Sequence, residues 1–182
     1  MLPIKRRPSK TIKDYMRLPE GVRAELIEGE LLMSPSPRSR HQRIVFNIHV
    51  ALRDFIEESG LGLVFEAPLD VHLPHGDIVQ PDVIVVLKRH LKIVKDWIRG
   101  VPDIVIEVVS PDTVDRDRFT KRHTYARNAV REYWLVDDAS RSVEILRLSR
   151  GRYVTHAYCE EGDTIVSPAL PPLRLSTRLV FK

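Results

Sequence analysis

The chain has one cysteine, Cys159, in 182 residues. It can therefore form no intramolecular disulfide and no cysteine-based zinc centre, and a reducing, cytoplasmic compartment is the simplest expectation. It has no apolar run approaching the ~18 residues needed to cross a bilayer, so no membrane partner is expected. The first ten residues are basic but lack the apolar stretch of a signal peptide. Internal repeats, low-complexity tracts and recognisable base-reading modules are also missing, so nothing predicts sequence specificity. His72 and His75 are too sparse for a zinc site. What remains is an ordinary globular composition, 43% apolar and 30% charged. One domain spanning 1–182 is expected, with 1–10 and the proline-interrupted 168–182 as peripheral tails. A net charge of +4 permits a nucleic-acid partner without requiring one. Arginine outnumbers lysine, which suits phosphate contacts, although a GC-rich genome produces the same excess.

Thr11 followed by Asp14 predicts a capped short helix ending near Pro19. Glu25–Met33, two apolar runs around Gly29, predicts a hairpin. Ile44, Ile48, Leu52, Phe55 and Ile56 recur at helical spacing and predict a helix over 39–59, stopped by Gly60. A strand is expected over 62–73, a basic connector over 88–100, and a helix over 114–128 behind the lead-in 110–113. Strands follow at 132–136, 143–148 and 153–158. The order predicts an α/β fold: a central mixed β-sheet flanked by helices, with an N-terminal hairpin and C-terminal strands.

Two carboxylates stand out. Asp82 and Glu107 each interrupt a Val/Ile-rich run, Gln80–Leu87 and Asp103–Ser110, of the kind that forms strands covered on both faces. An ionised carboxylate there is costly unless paired or bound to metal. Opposite positions on adjacent strands lie about 5 Å apart, so the two could share one hard cation. Asp103 shares the Glu107 face but sits roughly 13 Å away along the strand, too far to serve. Oxygen-only ligands point to Mg²⁺ or Mn²⁺. A lysine two residues after Glu107 would share its face, but that position is Val109. The following helix offers Arg116, Arg118, Lys121 and Arg122, with Lys121 and Tyr125 four apart on one face.

The stretches Glu25–Glu30, His41–Val45, Gln80–Val83, Glu107–Pro111, Lys121 with Tyr125, and Val130–Trp134 together resemble the Uma-type family of restriction-endonuclease-like proteins. That family belongs to the PD-(D/E)XK nuclease superfamily, and the resemblance runs over roughly residues 11–148. It implies a restriction-endonuclease-like fold, Asp82 and Glu107 as metal ligands, and a lysine moved from the strand to the next helix, here Lys121. Gln80 and Tyr125 fall in the same motifs as supporting residues. His41 admits two readings, a site residue that reaches phosphate or a satisfied core or capping histidine. Among Glu25, Glu28 and Glu30, Glu30 is the preferred extra acid, while Glu28 beside Gly29 reads as a turn.

The leading expectation is a Mg²⁺- or Mn²⁺-dependent endonuclease, with DNA as first-choice substrate, Asp82, Glu107 and Lys121 as catalytic residues, and a homodimer by analogy. Two rivals stand beside it. One is a catalytically silent module of the same fold that binds nucleic acid or protein. The other is a hydrolase of small phosphorylated molecules, which would need a narrow closed pocket.

Overall fold

Val83–Leu87 and Ile104–Val109 are buried at every position, and a strand with no residue to spare for solvent must be covered on both faces. The computed structural model, which describes residues 9–109 and 116–182, places these two strands inside a six-stranded sheet. In chain order the elements are α1 (Ile12–Tyr15), β1 (Ala24–Ile27), β2 (Glu30–Met33), α2 (Ser39–Glu58), β3 (Gly62–Glu66), β4 (Val71–His72), β5 (Ile78–Val79), β6 (Val83–Leu87), β7 (Ile98–Arg99) and β8 (Ile104–Val109). They continue with α3 (Arg122–Arg127), β9 (Glu132–Asp137), β10 (Ser142–Ser149), β11 (Arg152–Cys159), β12 (Thr164–Ile165), β13 (Leu175–Ser176) and α4 (Thr177–Val180). A 3-10 segment, Lys88–Ile93, follows β6, and a π-helical turn, Arg116–Lys121, runs directly into α3.

The main sheet has the order β11-β10-β9-β8-β6-β3, antiparallel except for the parallel pair β8–β9. Alternation divides its side chains between two cores. Val83, Val85, Ile104, Ile106, Trp134 and Val136 pack under Ile44, Ile48, Leu52 and Ile56 of α2. Each buried aliphatic side chain contributes about 1.5–3 kcal/mol, so the long helix is held by packing rather than by its caps. Ile84, Val86, Val105, Tyr133 and Leu135 face the other way, onto Ile27 of β1 and Tyr125 of α3. A second, smaller sheet, β2-β1-β5-β4-β7, lies on that side.

The hairpin β1–β2 turns through Glu28 and Gly29, both at positive φ. This two-residue geometry matches strand twist and fixes the register. Glu25 and Ile27 therefore face the main sheet, while Ala24 and Leu26 join a third cluster with Tyr15 and Ile78. The expected capping box is present, with Thr11 Oγ1 accepting from Asp14 N and Asp14 accepting from Thr11 N.

Three expectations need correction. The strand expected over 62–73 is two: β3 ends at Glu66, and the chain crosses through Pro68, which has no amide hydrogen for the ladder, into β4 of the second sheet. The helix expected over 114–128 is the π-helical turn plus the short α3; residues 114 and 115 and the lead-in 110–113 lie outside the described residues. Residues 1–8 of the N-terminal tail lie outside them as well. Segment 168–182 is not peripheral. Leu170, Leu173, Leu175, Val180 and Phe181 are buried in the α2-side core, and α2 holds α4 through Asn47 Nδ2, which donates to Val180 O at 3.1 Å. Among the described residues, no helix is long and apolar enough to cross a membrane.

Phe181→Ala should thus cost about 3–5 kcal/mol, as buried aromatic truncations do. Urea unfolding monitored by circular dichroism would show it; a change below about 0.5 kcal/mol, normal for surface positions, would mean that the segment is peripheral after all.

Candidate active site

Strand register delivers the first two acids. Val83 pairs with Ile106 and Ile84 with Val105, so one step further the antiparallel ladder sets Asp82 opposite Glu107. Both side chains lie on the Ile84/Val105 face. Pro81 cannot donate to the ladder, and Asp82 uses its side chain at this end of it. Its Oδ2 accepts from Val108 N at 2.8 Å and lies 3.2 Å from His41 Nε2. His41 sits in the first turn of α2. Burial disfavours the imidazolium, but the hydrogen bond and charge of Asp82 outweigh it and raise the His41 pKa above the ordinary 6.5. The structure thus brings His41 to Asp82 at the edge of the cleft.

Glu107, only 3% exposed, is held from the π-helical turn and α3. Lys121 Nζ donates to its Oε1 at 2.8 Å and Tyr125 OH donates to the same oxygen at 2.5 Å. The two donors are four residues apart and so share a face. Tyr133 fixes both: its hydroxyl donates to Asp117 O at 3.0 Å, and its ring meets Tyr125 edge-on at 5.0 Å. Burial keeps the Tyr125 phenol protonated, as do Glu107 and Glu25. Lys121 is also 3% exposed. Burial would discharge it, but Glu107, Glu25 and Asp117 raise its pKa and hold the ammonium charged.

The third acid corrects the expectation of Glu30. Glu30 is exposed, at the turn end of the hairpin opposite Ile27. Glu25, 1% exposed, instead lies 3.0 Å from Lys121 Nζ through Oε1 and accepts there from Gln80 N at 2.9 Å. Its Oε2 is buried with no hydrogen-bond partner. The signal was present in the sequence, because Glu25 is a lone carboxylate beside an apolar run, the criterion that singled out Asp82 and Glu107. Gln80 borders the site through its backbone only; its amide donates to Asp70 Oδ1 at 2.8 Å. Asp103 accepts from Leu87 N, Arg89 and His90 at the opposite end of β6, and is structural.

Asp82, Glu107, His41 and Lys121 line a cleft of about 450 Å³ together with Arg23, Arg38, Arg40 and Arg116. Glu107, Glu25 and Asp117 gather around the Lys121 ammonium, and Asp82 adds its charge to the field at Glu107. This gathering of carboxylates, together with the Glu25 Oε2 that lacks a hydrogen-bond partner among the described residues, fits a divalent cation bound by Asp82 and Glu107 with Glu25 close by. Among the described residues no three such side chains form a ready-made cage. An open arrangement of one or two carboxylates, completed by water and phosphate oxygens, is the one that Mg²⁺ favours.

Glu107 is raised well above its ordinary 4.5, by burial first and then by Asp82, Asp117 and Glu25 against Lys121. The folded protein thus binds that proton more tightly than the unfolded chain does, and this group's contribution to stability falls as pH climbs from 4.5 through its raised folded value. In metal-free buffer, the wild-type stability minus that of Glu107→Gln should decline over this range, as read by chemical denaturation at each pH. Parallel profiles would overturn the assignment.

Comparisons with known proteins bear on the fold and the family. A crystal structure described as a putative nuclease belonging to DUF820, from Anabaena variabilis, superposes with a TM-score of 0.79 at 21% identity, covering 94% of this chain and 97% of that one. This likeness establishes the restriction-endonuclease-like fold. No curated protein matches. The family model described as "Putative restriction endonuclease", Uma2, matches residues 12–178, and the chain belongs to that family.

Proposed function

We propose that this protein is a Mg²⁺- or Mn²⁺-dependent endonuclease that hydrolyses phosphodiester bonds, with DNA as its substrate. The observation that carries the reading is the convergence of Asp82 just before β6, Glu107 of β8 and Lys121 of the π-helical turn on one face of the sheet, inside an arginine-lined cleft. A nuclease family and a nuclease-fold relative support it.

Asp82 and Glu107 would hold the metal, with Glu25 as a third carboxylate. The chemistry supplied by a bound Mg²⁺ or Mn²⁺ is polarisation of the phosphate and a lowered pKa for the attacking water. Lys121 is charged and cannot act as a base; its ammonium offsets the negative charge that grows on the phosphoryl oxygens or orients the water. Tyr125 and Lys121 together fix the Glu107 rotamer through one oxygen and leave the carboxylate's other oxygen for a ligand. His41 fixes Asp82 in the same way from α2. The cleft arginines meet backbone phosphates, so binding should weaken with salt and be insensitive to sequence. A homodimer, placing two sites on a duplex, belongs to the same proposal.

Cleavage of DNA should require Mg²⁺ or Mn²⁺. Asp82→Asn, Glu107→Gln and Lys121→Met, each checked for folding by circular dichroism, should lose about 10²–10³-fold or more in rate. Undiminished cleavage by any of them removes that residue from the site. Equal DNA binding with and without metal, and no cutting under any condition, would instead favour the silent module.

Mn²⁺ should also raise the melting temperature of the wild type and leave the Asp82→Asn/Glu107→Gln double variant unmoved, as ligand linkage requires. An equal rise in both would place the metal elsewhere.

A further inference from the structure

Arg23 differs from the other arginines of the cleft. Arg40 is bound to Asp138 at 3.1 Å and donates to Phe181 O, and Arg116 stands beside Asp117 at 4.0 Å, although its Nε too is buried without a hydrogen-bond partner. Arg38 also has an interaction of its own. Among the described residues the Arg23 guanidinium has neither a hydrogen-bond acceptor nor a carboxylate partner, and its Nε is shut off from solvent. Buried donors in native proteins almost always have a partner, and one without demands a reason.

Position supplies the reason. Arg23 immediately precedes β1, with its carbonyl accepting from Ser34 N at 3.0 Å, so the hairpin fixes its backbone. It is two residues before Glu25 and on the same strand face, about 7 Å away along the chain. A cation is thus presented to the cleft next to the acid cluster, yet no carboxylate pairs with it. A planar guanidinium with spare donors matches the two free oxygens of a phosphodiester. The three other arginines of the lining either have their own partners or stand beside a carboxylate.

We propose that Arg23 is a substrate-binding residue that grips a backbone phosphate of the nucleic-acid strand beside the acid cluster. This rests on the nuclease reading above and assigns one phosphate contact within it. The contact is sequence-independent and needs no metal.

The test uses the full chain carrying Asp82→Asn, in chelator, with a fluorescein-labelled single-stranded oligonucleotide followed by anisotropy across a salt series. Adding Arg23→Gln should weaken binding about tenfold to a hundredfold and reduce the slope of log affinity against log salt by about 0.7, the share of one phosphate on a single strand. Arg23→Lys should keep the slope and lose part of the affinity, because charge remains and the fork does not. Arg53→Gln, at an exposed arginine of α2 paired with Asp54, should change neither quantity. The melting temperature of Arg23→Gln should equal or exceed that of its parent, since no hydrogen bond or ion pair among the described residues is lost. A lowered melting temperature would make Arg23 structural and overturn the proposal. So would an unchanged slope in a parent that binds. If the parent binds no nucleic acid at all, the nuclease reading itself falls.

Discussion

A single ammonium group, that of Lys121, is what allows the carboxylates of this protein to be buried together. Each ionised carboxylate withdrawn from water costs several kcal/mol unless something compensates. Lys121 Nζ lies 2.8 Å from Glu107 and 3.0 Å from Glu25, with Asp117 at 3.9 Å. Much of the surrounding architecture serves to hold that arrangement. The hairpin turn at Glu28 and Gly29 sets the face of Glu25, and the parallel pairing of β8 with β9 brings Tyr133 under the π-helical turn. The wide turn runs directly into α3, so Lys121 and Tyr125 reach the same oxygen of Glu107. Burial and the neighbouring carboxylates still raise the Glu107 pKa, and a divalent cation at the cleft would relieve that repulsion.

Legibility in the sequence followed the strength of the periodic signal. Asp82 and Glu107 could be paired from alternation and strand adjacency alone, and the register of β6 with β8 sets them opposite one another. Lys121 could not be found that way. A helix lysine is ordinarily solvated, and its burial depends on a π-helical turn that no spacing rule announces; the family resemblance pointed to it. Glu25 was readable by the same rule as the other two acids but was passed over for Glu30, because a short hairpin strand does not reveal that both its faces are covered. Arg23 leaves no sequence signal, since what distinguishes it is the absence of a partner in three dimensions. The prolines at 168, 171 and 172 suggested a loose tail, yet the apolar residues between and beyond them fill the core under α2. Proline excludes regular ladders and helices there, but it does not exclude burial.

The two faces of the main sheet therefore have different tasks. The α2 face is purely apolar where it meets the helix and supplies most of the packing. The opposite face mixes tyrosines with acids, and three buried tyrosines there each have an acceptor: Tyr125 on Glu107, Tyr133 on Asp117 O, Tyr153 on Val130 O. Rigid, engaged phenols would hold carboxylates in one geometry while ligands came and went. His41 is the link between the faces, rooted in the packing helix and touching Asp82.

The burial of Leu170, Leu173, Leu175, Val180 and Phe181 also bears on how the protein is made. Until residues 168–181 are available to fold, the α2-side core lacks the side chains that close it, and apolar surface stays uncovered. Stalled or clipped products ending before this segment would expose a sticky face, the kind of surface that chaperones and proteases recognise.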